Sequence, residues 1–263
     1  MGNSITRRRL FVGFLLAGAA CAPAPPGEPG ELLVHAAASL RDVAVAAGER
    51  FEQSTGTQVV FNFAGSNVLA QQIAATGMGD LLLSADMSWL DDLEARGCVV
   101  SSTRRPLLRG SLVVIGHVDS PWRVSEPCQL IALPFDHLAI AHPSAVPAGR
   151  YAKAWAQDID CDGTSLWDAV KPRVTPAKDV RAALALVAAD PRIVGIVYAS
   201  DALSSEHVRV LLAPPSADQP KVVYGAAVLA GAKEPDAAAA FLAFLRAPQQ
   251  AALFQASGME VLP

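Results

Sequence analysis

The amino-acid sequence predicts an α/β protein of two lobes, each a mostly parallel sheet flanked by helices. Three observations point there. Apolar strand-like runs alternate with amphipathic helix patterns over residues 31–263, the rhythm of βαβ units. Two long extended runs, "RRPLLRGSLVVIG" (104–116) and "KVVYGAAVLAG" (221–231), have no helix pattern beside them and suit a double crossing between lobes. The composition is 52% hydrophobic, 17% charged and 6% aromatic, that of a globular chain able to bury a sizeable core.

Taken in order, strands are expected at 32–35, 58–63, 80–84, 112–116, 138–141, 193–198, 208–212 and 222–230. Helix faces lie between them: Leu40, Val43, Ala47 and Phe51 recur at the three-to-four spacing of one buried side, as do Val180, Ala183, Leu184 and Val187. With two crossings, residues 31–108 plus 224–263 form the first lobe and 109–223 the second. The alternative is one continuous sheet with two long strands.

Residues 1–30 read as a signal peptide and spacer. "TRRRLF" gives a basic start, 10–20 an apolar stretch, and "AGAAC" small residues ending at Cys21. Eleven apolar or small residues are too few to span a bilayer core of about 30 Å, so export is expected, through a Sec or a twin-arginine signal. Cys21 is a candidate for lipidation, the one way this chain would hold a membrane; ordinary cleavage within "AGAACAPA" is the alternative.

Of the 21 basic residues, removing the three leader arginines leaves 18 against 25 acidic ones, a net charge of −7. That balance argues against nucleic acid, which selects a basic face. Cys98, Cys128 and Cys161 form no CxxC pair. An odd count leaves at least one thiol free in a monomer, and the three are read mainly as small core residues.

Several strand ends carry the same device. "HAAASL" closes the first strand on three alanines and Ser39. A serine there is a natural helix N-cap, while the small side chains let a ligand approach the backbone and the helix N-terminus, a ready anion site. "FAGSNVLAQQI" brings a second strand to Ser66. "VPAGRYAKAW" puts Pro147 at a first helical position and leaves the N–H of Ala148 free. "KDVRAALALV" offers Asp179 as a cap and the N–H of Val180. "GIVYASD" ends a strand on Tyr198.

In order along the chain, "HAAASL", "FAGSNVLAQQI", "DLLLSAD", "VPAGRYA", "DVRAALALV" and "GIVYASDA" resemble the periplasmic molybdate-binding proteins of ABC-type uptake systems. The resemblance covers nearly all of residues 31–263. It implies a two-lobed periplasmic binding protein fold (type II-like) that closes on molybdate or tungstate and delivers it to an ABC transporter permease, as a monomer in the periplasm and without a cofactor or resident metal. It also implies that the ligand contacts come from Ser39 and Ser66 in one lobe and from Ala148, Val180 and Tyr198 in the other. The chain departs from the family pattern at Gly65 and Asn67 around Ser66, at Met78-Gly79-Asp80, and at His142.

Every one of those contacts is a neutral donor, which suits a fully deprotonated tetrahedral dianion. A hydrogenphosphate would bring a proton with no acceptor to meet it. A receptor for another oxyanion such as sulfate is the alternative reading. An exported serine hydrolase is disfavoured, because no G-x-S-x-G elbow surrounds either serine and only His35 lies near Ser39 in sequence. The five histidines show no metal-ligand spacing.

Overall fold

The computed structural model describes residues 30–262; the expected signal peptide and Cys21 lie outside them. Three βα units come first. Strand β1 (Leu32–Ala37) runs through a short 3-10 turn into α1 (Arg41–Thr55), β2 (Val59–Ala64) leads to α2 (Ser66–Thr76), and β3 (Leu81–Ser84) to α3 (Met87–Ala95). Gly56 and Gly77 end the first two helices at φ +77° and +65°, left-handed positions where a Cβ is costly. Asp86 caps α3, accepting from Ser88 N–H at 2.7 Å.

Two strands separated by Ser111 follow, β4 (Arg105–Gly110) and β5 (Leu112–His117), then β6 (His137–Ala141) and α4 (Pro147–Asp158). A small hairpin of β7 (Asp160–Cys161) and β8 (Thr164–Ser165) precedes α5 (Leu166–Val170), β9 (Val174–Ala177), α6 (Val180–Ala189), β10 (Ile193–Tyr198) and the short α7 (Ala199–Leu203). The chain closes with β11 (Val208–Leu212), β12 (Val222–Val228), α8 (Pro235–Arg246), α9 (Ala251–Ala256) and β13 (Glu260–Val261).

These strands build two main sheets. The first has the order β13-β4-β12-β3-β1-β2, the second β11-β5-β10-β6-β9. Both are mixed and not mostly parallel: β2-β1-β3 and β10-β6-β9 are parallel, while β12, β4, β13, β5 and β11 join antiparallel. The β4–β5 link and the 213–221 link from β11 to β12 carry the chain from one sheet to the other without an α-helix. The expected single run over 104–116 is therefore two strands, one in each sheet. Strand β9 escaped the sequence reading because "VTPA" carries Pro176, which an edge strand tolerates.

Long-range contacts hold this frame. Phe51 of α1 packs on Phe241 and Phe244 of α8 at 5.0 and 5.3 Å between ring centroids. The buried Asp80 carboxylate accepts from the N–H groups of Leu33, Lys233 and Glu234 at 2.7–3.0 Å, tying β1 to the entry of α8. Cys128 and Cys161 form a disulfide and Cys98 is free, so two of the three thiols read as core residues instead staple the segment after β5 to β7, just past the end of α4. Spacing in sequence did not reveal that pair. A structural disulfide belongs to an oxidising compartment. No helix among the described residues is long and apolar enough to cross a membrane.

Candidate functional site

The ends of β1, β2 and β3 face the N-termini of α4 and α6 and the end of β10 across one small cavity. Ser39, Ser66, Ala148, Val180 and Tyr198 all line it, and none is more than 3% exposed. Five positions spread over 160 residues of sequence thus converge on one cavity. Ala37 and Ala38 also border it, so the small residues at the end of β1 leave room as expected.

Ser39 is not a helix cap. It sits inside the 3-10 turn Ala38–Leu40, and the cap positions of that turn and of α1 fall on Ala37 and Leu40, with no side-chain cap bond. Its Oγ instead accepts from the Oη of Tyr224 on β12 at 3.2 Å. Ser66 is the first residue of α2, after the extended Gly65, and its Oγ accepts from the N–H of Ala85 at 3.0 Å. In both serines a fixed protein donor occupies a lone pair, which leaves the hydroxyl proton to be given away. Neither supporting partner was visible in sequence: Tyr224 is 185 residues from Ser39 and Ala85 is 19 from Ser66.

On the facing side, Pro147 begins α4. The N–H of Ala148 is then one of those a helix leaves without an intrahelical partner. Gly149 makes this placement feasible, since a Cβ there would lie 2.0 Å from the carbonyl oxygen of Ala141; only glycine lets the first turn of α4 rest on the end of β6. Val180 begins α6, and Asp179 caps it by accepting from Ala182 N–H at 2.8 Å. Asp179 also borders the cavity, the one acidic residue to do so.

Tyr198 ends β10. Its Oη is buried and has no hydrogen-bond partner among the described residues. Burial pushes its pKa well above the ordinary phenol value, with the nearby Tyr224 adding to the shift, so the phenol keeps its proton and meets an anion only as a donor. The site therefore offers three hydroxyls and the N-terminal N–H groups of two helices, a set that solvates negative charge without a cation. His35, the histidine nearest Ser39 in sequence, has both ring nitrogens engaged, Nε2 with the carbonyl of Met78 and Nδ1 with the side-chain amide of Asn62, each at 2.9 Å.

Two α/β lobes enclosing a cavity of neutral donors define a two-lobed solute-binding protein with the periplasmic binding protein fold. The chain belongs to the family of bacterial extracellular solute-binding proteins, whose pattern it matches over residues 32–260. It is 36% identical over 255 residues to the molybdate-binding protein ModA of Escherichia coli (strain K12), an alignment covering 94% of this chain and 97% of that protein. Its fold matches the Azotobacter vinelandii periplasmic molybdate-binding protein with a TM-score of 0.76 at 21% identity, over 88% of this chain and 99% of that one. It also matches the sulfate-binding protein SubI of Mycobacterium tuberculosis H37Rv, with a TM-score of 0.74 at 19% identity, over 87% and 86% of the two chains. Those two structural likenesses are likenesses of fold.

Proposed function

We propose that this protein binds molybdate in the cavity between its two sheets and hands it to the membrane permease of an ABC transporter. Ser39, Ser66 and Tyr198 donate their hydroxyl protons to the ion, and Ala148 and Val180 their backbone N–H groups. Tungstate, of the same charge and shape, is a second ligand. The observation that carries this reading is the convergence of five buried neutral donors, drawn from both lobes, on one cavity; the 36% identity to a molybdate-binding relative supports the choice of ion. Hydrogen bonds to a charged group contribute about 1.5–3 kcal/mol each. Five of them, set against dehydration of the ion and ordering of the lobes, support a micromolar or tighter dissociation constant.

We read the protein as a receptor and not an enzyme: among the described residues the serine hydroxyls are hydrogen-bonded to Tyr224 and to the Ala85 N–H, and not to a histidine or carboxylate. Its place is the periplasm, which the disulfide supports. The lobes divide near 108/109 and 223/224, each boundary moved by two residues so that β4 (to Gly110) and β12 (from Val222) stay whole in the first, with 1–30 as signal peptide and spacer. Calorimetric titration with molybdate, tungstate, sulfate and phosphate tests the assignment. Molybdate and tungstate are expected to bind and phosphate is not. Tight sulfate binding with no molybdate heat overturns it.

A further inference from the structure

Two arginines stand where helix electrostatics disfavours a cation. Arg150 lies in the first turn of α4 and Arg181 in the first turn of α6, the ends at which the backbone already carries partial positive charge. Each follows closely on a residue that lines the cavity, Ala148 or Val180. Each also reaches over the cleft to an acidic residue carried by the other sheet. Arg150 Nη1 lies 3.2 Å from Asp86 Oδ2 and donates to Ser88 Oγ at 2.9 Å. Arg181 Nη2 lies 2.6 Å from Asp42 Oδ2 on α1.

Both bridges are anchored. Asp86 is fixed as the cap of α3. Arg181 is held from its own side, with Nε 2.7 Å from the wholly buried Asp201 carboxyl and Nη1 donating to Ser204 Oγ at 2.8 Å. Arg181 and Asp42 both line a recess that shares Ser39 with the anion cavity, so their bridge stands at the edge of the cleft.

We propose that Arg150 and Arg181 are closure latches, positioning residues that hold the two lobes together over bound molybdate and set its release rate. The inference rests on the molybdate reading above. Each bridge joins groups on different sheets, so it forms only when the lobes are closed. A contact made in one state alone shifts the equilibrium toward that state by its own free energy. The pairing also cancels the arginine charges at the cleft edge, which leaves the cavity to its neutral donors.

The test follows release of labelled molybdate from loaded protein after a chase of unlabelled molybdate. Asp42→Asn is the safest variant, because Asp42 is more than half exposed and Asp201 keeps its arginine; Arg150→Gln probes the other side. Each is expected to release the ion about fivefold faster, the scale of one partly exposed ion pair, with association within twofold of wild type. Asp42→Glu is expected to restore slow release, and the ligand-free melting temperature of Asp42→Asn to match wild type. Wild-type protein that binds molybdate, with both variants releasing it at the wild-type rate, overturns the latch alone. Wild-type protein that takes up no molybdate overturns the functional reading and the latch with it.

Discussion

Tyr198→Phe separates ligand binding from folding more cleanly than any other single change at the site. The hydroxyl makes no hydrogen bond within the described protein, so its loss breaks no native contact. The ring packs against Tyr224 with centroids 5.5 Å apart, a contact phenylalanine preserves. A buried hydroxyl without a partner costs about 1–3 kcal/mol, so the ligand-free variant is expected to melt no lower than wild type. For a chain of this size each kcal/mol gained is worth about 2–4 °C. Binding should respond in the opposite sense. Removing a donor to a charged ion costs about 1.5–3 kcal/mol, which weakens affinity roughly 10- to 150-fold. Because burial holds the phenol far above its usual pKa, ionisation of Tyr198 should not erode wild-type binding as pH rises through 9. Calorimetry with molybdate and differential scanning calorimetry without it measure the two halves. Affinity within threefold of wild type, or ligand-free melting lowered by more than about 4 °C, refutes the assignment of Tyr198 as a ligand donor.

Ser66→Ala should behave differently, since it removes a proposed ligand donor and also leaves the buried Ala85 N–H without its acceptor; affinity and ligand-free stability should each fall by about 1–3 kcal/mol, measured by titration and by urea denaturation. Replacing Cys128 and Cys161 with serine opens a loop set by a separation of 33 residues and should cost about 3–4 kcal/mol of stability on the chain-entropy relation. Molybdate affinity should stay within twofold, because the staple sits at the end of α4 away from the cavity, about 18 Å along a 12-residue helix. Burial raises the pKa of Asp201 from 3.8 to about 7, against the opposing pull of Arg181. The folded state therefore binds a proton that the unfolded state has released between pH 4 and 7. Stability from this group is complete below pH 4 and lost as pH rises to 7, about 4 kcal/mol at most. Denaturation of wild type and Asp201→Asn across that range should show the slope in the first and not in the second.

What could be read from the sequence was local. The alanines before Ser39, Pro147 at the head of α4 and Asp179 at the head of α6 each act through their immediate neighbours, and their places in the structure follow from backbone sterics and capping alone. Ser39 shows where this stops. A serine between a strand and a helix reads as a cap, but an intervening 3-10 turn leaves Ser39 between the two cap positions, Ala37 and Leu40, and sequence does not register so small an offset. Its true partner, Tyr224, comes from β12, two strands along in the same sheet but 185 residues away in sequence. The Cys128–Cys161 pair, the antiparallel entry of β4 and β12, and the reach of Arg150 and Arg181 are likewise long-range facts, set by how the sheets stand and not by any pattern within a window of residues.

The division of charge around the cavity has a consequence for how an ion would be taken and released. A lysine or arginine inside the cavity would attract an anion whether or not the lobes had met, and closure would add little. Here the donors are neutral and divided, Ser39 and Ser66 on one side and Ala148, Val180 and Tyr198 on the other, so neither half alone supplies enough hydrogen bonds to replace the hydration of a dianion. Retention then depends on closure. The arginines stand one step outside, paired with carboxylates across the cleft, where they favour the closed state without binding the ion themselves. Opening breaks the bridges and splits the donor set together, so a permease that parts the lobes would need to contribute only the free energy of closure to free the ion.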